Sequence, residues 1–291
     1  MKHRRTKKVY ALKILEPGLD RNAVHFEVNV LRYLSDAPNC KPYVSCFHSA
    51  FALPQGRYGK LLSFAVLSDF VKGDSLDAVI EKTEEMAVKE PLKYQCEMAA
   101  VLWLLVRALA FLHDQNVAHR DVKLENAILA KDRSNVVIID LGLSCAREEM
   151  LSCDIKPWVG TIQYAAPEVI REIKKSARKR KPLTLREWQR ADIYAAGVTA
   201  MLLLTRVGLE TVQSLRVEQD RAGKGPLPFP KGAAVSVHPC LQRVIKRMTD
   251  VRPSKRPDAH ALMDEFENCQ QEMLCMSLPE LEESGGTAVF F

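Results

Sequence analysis

The chain has 291 residues, of which 47% are hydrophobic and 27% charged, an ordinary composition for a globular protein without low-complexity segments. Its net charge is +6, but residues 2–8 and 171–181 together carry +11, which leaves −5 for the rest of the chain. This distribution excludes a basic footprint over the whole surface, so nucleic-acid binding is disfavoured.

Eight cysteines occur without a Cys-x-x-Cys pair or a zinc-type spacing: Cys40, Cys46, Cys96, Cys145, Cys153, Cys240, Cys269 and Cys275. No secretory signal is recognisable, so we expect reduced thiols in an intracellular, cytoplasmic protein. The longest apolar runs, Ala99–Val106 and Ile193–Thr205, are shorter than the roughly 20 residues that cross a bilayer. We therefore expect no membrane contact.

The N-terminal part of the chain is predicted to consist mainly of strands. Val9–Leu15 is predicted as a strand, and a helix follows from Asp20 to about Ser35. The carboxylate of Glu27 falls on the inner side of that helix, where it needs a partner. Two further strands, Tyr43–Phe51 and Leu61–Leu67, are expected on either side of a hairpin connection.

From Leu92 onward the pattern favours helices. One long buried helix is indicated by an apolar stripe with helical spacing: Met98, Val101, Leu102, Leu105, Leu109 and Leu112. Ile193–Leu204 is apolar on all sides, as expected for a helix inside a large lobe. Two more helices are predicted over Pro239–Thr249 and Asp258–Gln270.

Three motifs follow one another in the middle of the chain. His119–Asn126 places a carboxylate, an ammonium and a carboxamide within a few residues, and Asp140-Leu141-Gly142 follows an apolar run. Gly160–Glu168 then contains Ala-Pro-Glu. In this order and spacing, the series resembles the catalytic loop, the metal-binding Asp-x-Gly and the Ala-Pro-Glu of eukaryotic-type protein kinases.

The resemblance implies an α+β fold with two lobes. The N-lobe, small and rich in strands, would comprise residues 1–70, and the larger, mainly helical C-lobe would comprise residues 71–270. Residues 271–291 are expected to form a disordered tail.

The resemblance also implies phosphoryl transfer from ATP to protein serine or threonine, with Mg²⁺ as cofactor. Asp121 would accept the proton of the substrate hydroxyl, and Lys123 would contact the transferred phosphate. Lysine at that position is typical of serine/threonine kinases. Asn126 and Asp140 would supply oxygen ligands to Mg²⁺.

Further resemblances concern the nucleotide. Tyr10–Ile14 is similar to the family's Val-Ala-Ile-Lys strand, so Lys13 would contact the ATP phosphates and pair with Glu27. The adenine would be held by two apolar side chains and by backbone groups of the connector, namely Ala11, Ile128, Asp69 and Val71. Ser68 would occupy the gatekeeper position.

The remaining family positions are structural or regulatory. Arg120 resembles the residue that meets a phosphorylated activation segment, so an upstream activating kinase is an expected partner besides the protein substrate. The candidate phosphoacceptors on the segment Asp140–Glu168 are Ser144, Ser152 and Thr161. Thr161 is a poor one, because family members use the hydroxyl at this position to hold the catalytic Asp and Lys. Two structural contacts complete the resemblance: the ion pair Glu168–Arg256, and Asp192 beneath the catalytic loop.

The chain departs from the family at two places. Only twelve residues precede Lys13 and none is glycine, so the glycine-rich phosphate loop is absent. We expect either a truncated sequence or a degenerate kinase that acts as a scaffold. The second departure is a basic run at residues 174–181, which is a solvated surface or, alternatively, a nuclear-import or acidic-partner patch.

Overall fold

The computed structural model describes residues 1–2, 5, 7–15, 21–55, 61–146, 160–175, 177–179, 181–231, 233 and 235–275. Within these residues the chain forms a small N-terminal lobe with a sheet and a larger, mainly helical C-terminal lobe. The two-lobed expectation is therefore confirmed. The predicted hairpin turn, the candidate phosphoacceptor Ser152 and the tail beyond Cys275 lie outside the described residues.

In its described residues the N-lobe contains one antiparallel sheet and one helix. Strands β1 (Tyr10–Leu15), β2 (Phe47–Gln55) and β3 (Leu61–Asp69) form the sheet with β3 in the centre. Lys13 lies opposite Val66 in the register of β1 and β3. Helix α1 (Arg21–Asp36) buries its predicted apolar stripe, including Val28, Leu31 and Leu34.

The C-lobe begins with β4 (Gly73–Ser75), α2 (Leu76–Lys82), α3 (Glu84–Lys89) and α4 (Pro91–Asp114). The short strands β5 (Val117–Ala118), β6 (Ala127–Ala130), β7 (Val136–Ile138) and β8 (Cys145–Ala146) carry the central motifs. The lobe is completed by α5 (Pro167–Lys174), α6 (Leu185–Thr205), α7 (Leu209–Ala222), α8 (Pro239–Met248) and α9 (Ala259–Glu272).

Helices α4 and α6 form the core of the C-lobe. Both are buried along most of their length, and the six apolar stripe residues predicted for α4 are each at most 2% exposed. By length and composition alone α4 could cross a membrane, but most of it is enclosed by the lobe. A capping box at Thr184 and Glu187 fixes the start of α6.

One predicted strand begins later than expected. Tyr43–Phe51 was predicted as a strand, but β2 starts at Phe47 because residues 40–46 form a loop closed by a Cys40–Cys46 disulfide. In this loop Val44 makes a parallel bridge to Ile138 of β7, across the boundary between the lobes. The loop thus places the N-lobe against the strand that precedes Asp140.

The expectation of reduced thiols was wrong. All seven described cysteines are disulfide-bonded, and the pairs Cys40–Cys46, Cys96–Cys275 and Cys240–Cys269 lie within the described residues. Disulfide connectivity depends on the tertiary fold, and the spacing of the cysteines along the chain gives no indication of it.

Candidate active site

The first group of the candidate site joins the two lobes. The ammonium of Lys13 on β1 lies 2.8 Å from Glu27 Oε1 on α1 and 2.8 Å from Asp140 Oδ1 in the C-lobe. Glu27 is 8% exposed, so its carboxylate has the partner that its position on an apolar helix face requires. The pair predicted from the sequence is present, and the metal-ligand candidate Asp140 belongs to the same group.

Charge pairing dominates the electrostatics of this group. Burial acts against the charge on Lys13, but the Glu27 and Asp140 carboxylates outweigh it and raise the pKa of Lys13 above its ordinary value. Burial likewise disfavours the charged Asp140, but the hydrogen bond from Lys13 and the backbone N–H of Gly142 hold the pKa of Asp140 below its ordinary value. Both groups are therefore charged at neutral pH.

The second group is the catalytic loop between β5 and β6. Asp121 Oδ1 accepts a hydrogen bond from the backbone N–H of Thr161 at 2.7 Å, and Oδ2 accepts one from Asn126 Nδ2 at 3.0 Å. Lys123 donates to Thr161 Oγ1 at 3.0 Å and lies 3.4 Å from Asp121 Oδ2. The structure thus brings four predicted residues into one network that fixes the orientation of the Asp121 carboxylate.

The backbone of the catalytic loop is held from below by Asp192 on α6. Its two carboxylate oxygens accept hydrogen bonds from the backbone N–H groups of His119 and Arg120, both at 2.8 Å. The Asp192 side chain is 1% exposed, and His113 lies 3.1 Å from Oδ2. These contacts agree with the predicted role of Asp192 and keep Arg120 at a left-handed φ of 70°.

Arg120 lies inside the lobe. Its guanidinium group is placed over the ring of Trp188, 4.3 Å from the ring centre. Burial lowers the pKa of Arg120 to about 10, although the Asp192 carboxylate opposes this effect. Its predicted contact with a phosphorylated segment remains a prediction, because residues 147–159 lie outside the described part of the chain.

Two glycines permit the close approach of these groups. Gly160 has a φ of +95°, and a Cβ atom there would lie 2.3 Å from the carbonyl oxygen of Arg120. At Gly142 a Cβ atom would lie 2.9 Å from Glu27 Oε2 and 3.3 Å from Asp140 Oδ1. Only glycine fits at position 160, where the neighbour is backbone and φ is positive, whereas at position 142 a Cβ atom would press against the ends of the Glu27 and Asp140 side chains.

A cavity of about 470 Å³ lies between the lobes, next to Lys13 and Asp140. Its lining includes all four residues expected around an adenine: Ala11, Ile128, Asp69 and Val71. Ser68, the predicted gatekeeper, also lines it and lies 2.9 Å from Ser45 Oγ. The size and the mainly apolar wall fit a small planar ligand with a charged extension towards Lys13.

Of the two oxygen ligands proposed for Mg²⁺, Asp140 lines this cavity and Asn126 belongs to the network around Asp121. The Asp140 carboxylate is 45% exposed, and the Asn126 amide donates to Asp121 through Nδ2, which leaves its oxygen as an acceptor. A partly exposed carboxylate and an amide oxygen suit Mg²⁺, which retains water and phosphate oxygens as further ligands. These residues therefore fit the cation.

The Ala-Pro-Glu segment is tied to the C-lobe by the predicted ion pair. Arg256 donates two hydrogen bonds to the Glu168 carboxylate, at 2.6 and 2.8 Å. The Arg256 side chain is fully buried, and its Nε donates to the carbonyl of Asp250. This pair fixes the start of α5 and hence the segment that carries Thr161.

The sequence-based choice of phosphoacceptors needs one correction. Ser144 is fully buried and donates to the carbonyl of His119, so its hydroxyl is not accessible to an upstream kinase. Sequence reasoning also missed Trp188, His113 and Ser45, which support the site through Arg120, Asp192 and the cavity wall. No motif pointed to these three residues, because their roles depend on tertiary contacts.

Comparison with known proteins agrees with this geometry. The protein kinase domain family matches residues 1–266. "Serine/threonine/tyrosine-protein kinase HT1" of Arabidopsis thaliana is 29% identical over 219 residues, which is 72% of this chain and 49% of that protein. "Serine/threonine-protein kinase H1" of Homo sapiens is 30% identical over 212 residues, which is 70% of this chain and 42% of that protein.

The "CBL-interacting serine/threonine-protein kinase 13" of Arabidopsis thaliana is 33% identical over 153 residues, 52% of this chain and 27% of that protein. The chain thus spans about half the length of such relatives, or less. Its family match extends over both lobes and over every motif of the site. The chain therefore belongs to the protein kinase family.

Proposed function

We propose that the chain is an active serine/threonine protein kinase that transfers the γ-phosphoryl group of ATP to hydroxyl groups of proteins. The observation that carries this proposal is the assembled hydrogen-bond network of Asp121, Lys123, Asn126 and Thr161. A protein that served only as a scaffold would have no need of this arrangement. The name of the 30% identical relative, "Serine/threonine-protein kinase H1", supports the serine/threonine class, whereas the name of the 29% identical relative includes tyrosine as well.

In this proposal Asp121 orients the substrate hydroxyl and accepts its proton as the oxygen attacks the γ-phosphorus. The hydrogen bonds from Thr161 and Asn126 hold the carboxylate in position before the substrate binds. Lys123 neutralises charge on the transferred phosphoryl group. Lys13, held by Glu27, binds the other phosphates of ATP.

The inter-lobe cavity accommodates the adenine, and Mg²⁺ would be held by Asp140 and Asn126. The cation supplies neutralisation of the phosphate charge during transfer. In the described structure Lys13 contacts Asp140 directly, so its ammonium group already lies beside the proposed metal ligand. Lys13 would then bind the phosphates, and Asp140 with Asn126 would bind the cation beside them.

The alternative function is a kinase-fold scaffold with little catalysis. It predicts binding of Mg²⁺-ATP without transfer of phosphate to a peptide.

The test compares wild type with Asp121→Ala and with Asp132→Ala, an exposed turn residue outside the site, as the matched control. We expect Mg²⁺-ATP-dependent labelling of a Ser/Thr peptide library to fall on the order of 10²–10⁴-fold in Asp121→Ala only. Asp140→Ala should also abolish the Mg²⁺-dependent thermal stabilisation by ATP. A wild type that binds Mg²⁺-ATP but labels no peptide would favour the scaffold.

A further inference from the structure

The disulfides are distributed over both lobes. Cys40–Cys46 closes the loop at the lobe boundary, Cys96–Cys275 joins α4 to the residues after α9, and Cys240–Cys269 joins α8 to α9. The Cα–Cα distances are 6.5, 5.6 and 5.6 Å, all within the range that a disulfide spans. Cys145 is disulfide-bonded as well.

Two of these pairs depend on the tertiary fold. Cys96 and Cys275 are separated by 179 residues, and Cys240 and Cys269 by 29 residues. Together they attach α9 to two different helices of the C-lobe. In a reduced protein, buried cysteines act as small apolar side chains that need no partner of their own kind. The bonding of all seven described cysteines, six of them in the three pairs above, therefore requires another explanation.

Metal binding is the competing explanation for one pair. Ligand atoms of His238, Cys240 and Glu272 lie within 4.8 Å of one another, a set that could bind Zn²⁺. A zinc site requires the thiolate of Cys240, whereas the structure bonds this sulfur to Cys269. A zinc site at Cys240 would also leave the pairing of Cys40 with Cys46 and of Cys96 with Cys275 unexplained. Oxidation to disulfides explains all three pairs.

We propose that this protein folds and acts in an oxidising compartment, such as the lumen of the secretory pathway or the extracellular space, with its cysteines joined as structural disulfides. Disulfides persist in such compartments and are rare where glutathione and thioredoxin keep thiols reduced. This location differs from the cytoplasm expected from the sequence. If the proposed kinase activity holds, its protein substrates are those present in the same compartment.

The oxidation requires a disulfide donor, either a thiol–disulfide oxidoreductase or glutathione disulfide. One cysteine of a pair loses its proton, and its thiolate attacks the donor to form a mixed disulfide and release one donor thiolate. The second cysteine, also deprotonated, then attacks the mixed disulfide, which closes the protein disulfide and releases the other donor sulfur. Each pair thus loses two protons and two electrons, and the donor disulfide becomes a dithiol.

Cys40–Cys46 lies close enough to the candidate site to affect nucleotide binding. The backbone carbonyl of Cys46 accepts a hydrogen bond from the backbone N–H of Asp69 at 2.9 Å. The backbone N–H of Ser45 donates to the carbonyl of Ile138 at 3.3 Å. Asp69 and Ile138 both line the inter-lobe cavity. The Cys40–Cys46 disulfide therefore restrains a loop that supports two residues of the cavity wall. The two disulfides at α9 act on the C-lobe alone.

The experiment determines the redox state in intact cells that make the protein. Thiols are alkylated with N-ethylmaleimide before lysis, and unreduced peptides are then identified by mass spectrometry. We expect linked peptides for Cys40–Cys46, Cys96–Cys275 and Cys240–Cys269, without alkylation at these positions. Alkylation of all of them in unreduced protein would overturn the proposal.

Metal analysis and a paired variant complete the test. Zinc is measured in protein purified without oxygen. If wild type contains stoichiometric zinc and Cys240→Ser does not, the disulfide assignment at α8 is overturned. We also expect Cys96→Ser combined with Cys275→Ser to lower the secreted yield several-fold, with the conservative change Ser214→Thr, on the exposed part of α7, as control. Equal yields would contradict a structural role. The alkylation result does not depend on phosphotransfer, so a failure of the proposed kinase activity is distinguished from a failure of this proposal.

Discussion

The buried ion pair between Glu168 and Arg256 gives the most direct test of how the C-lobe holds the candidate site. Glu168→Gln keeps the shape of the side chain but removes its charge. The Arg256 guanidinium then stays buried, with only the amide oxygen and the backbone carbonyls of Asp250 and Arg190 as acceptors. Since a buried charge without its counter-charge is unfavourable, we expect a large loss of stability.

The magnitude follows from the burial of the pair. The Arg256 side chain is fully buried and Glu168 is 11% exposed, so solvent screens the interaction very little. Breaking such a pair by removing one partner costs about 3–5 kcal/mol. For a domain of this size, a loss of that magnitude lowers Tm by roughly 6–20 °C.

The assay is urea unfolding followed by fluorescence, with Glu272→Gln as the matched control. Glu272 pairs with Arg243 at 2.6 Å, but both side chains are about half exposed. Removal of this surface pair should cost only about 0–1 kcal/mol. A difference of less than about 1 kcal/mol between the two variants would refute the reasoning, because burial would then have no effect on the strength of the pair.

Three further predictions concern the site itself. Gly160→Ala should destabilise the protein more than Gly223→Ala and should lower phosphotransfer. Both glycines have a positive φ, but of the two only Gly160 has a close neighbour, the Arg120 carbonyl. Urea unfolding measures the loss of stability, and peptide labelling measures phosphotransfer. Glu125 is an exposed acid next to Asn126 and can attract basic residues of a substrate peptide, so Glu125→Arg should reduce any preference for arginine on the N-terminal side of the phosphoacceptor, as measured on a peptide library. The stability lost in Asp140→Asn should be constant from pH 5 to 9 and should disappear as the pH falls below about 3.8, since the pKa of Asp140 is lowered by folding.

Each of these predictions has a result that contradicts it. Equal losses of stability in the two glycine variants would mean that the close contact at Gly160 is relieved by a small backbone shift. An unchanged peptide profile would exclude Glu125 from substrate recognition. A stability difference between wild type and Asp140→Asn that grows below pH 3.8 would mean that folding raises this pKa.

Much of the fold could be predicted from the sequence because the patterns are strong over long segments. The α4 stripe lies in a helix that is buried along most of its length, and the boundaries of α8 and α9 differ from the predictions by one or two residues. Helix α7 was not predicted. Its exposed, polar sequence buries only Val212 and Gln219 and therefore shows no clear apolar stripe.

The candidate site could be predicted where a motif names the residue. Lys13, Glu27, Asp121 and Asn126 were each found from local sequence; the structure pairs Lys13 with Glu27 as expected, and it also joins Asn126 to Asp121, which was not predicted. The positions that support the motifs could not be found in this way. Trp188 beneath Arg120 is an example, because it lies 68 residues further along the chain and contacts the arginine only through the packing of α6.

The conformation of Asp140 shows why the local sequence alone does not determine the site. Its φ of 61° is unfavourable for a residue with a side chain and costs about 1–3 kcal/mol, which the surrounding contacts must offset. The strand before it is held by hydrogen bonds from neighbours on three segments: the Ile138 N–H donates to Tyr43, the Ile139 N–H donates to Asn126, and the Ile139 carbonyl lies 3.1 Å from His119 Nε2. These contacts fix β7 on both sides of the lobe boundary, so the direction of the Asp140 carboxylate towards Lys13 is set by the catalytic loop and the disulfide-closed loop together.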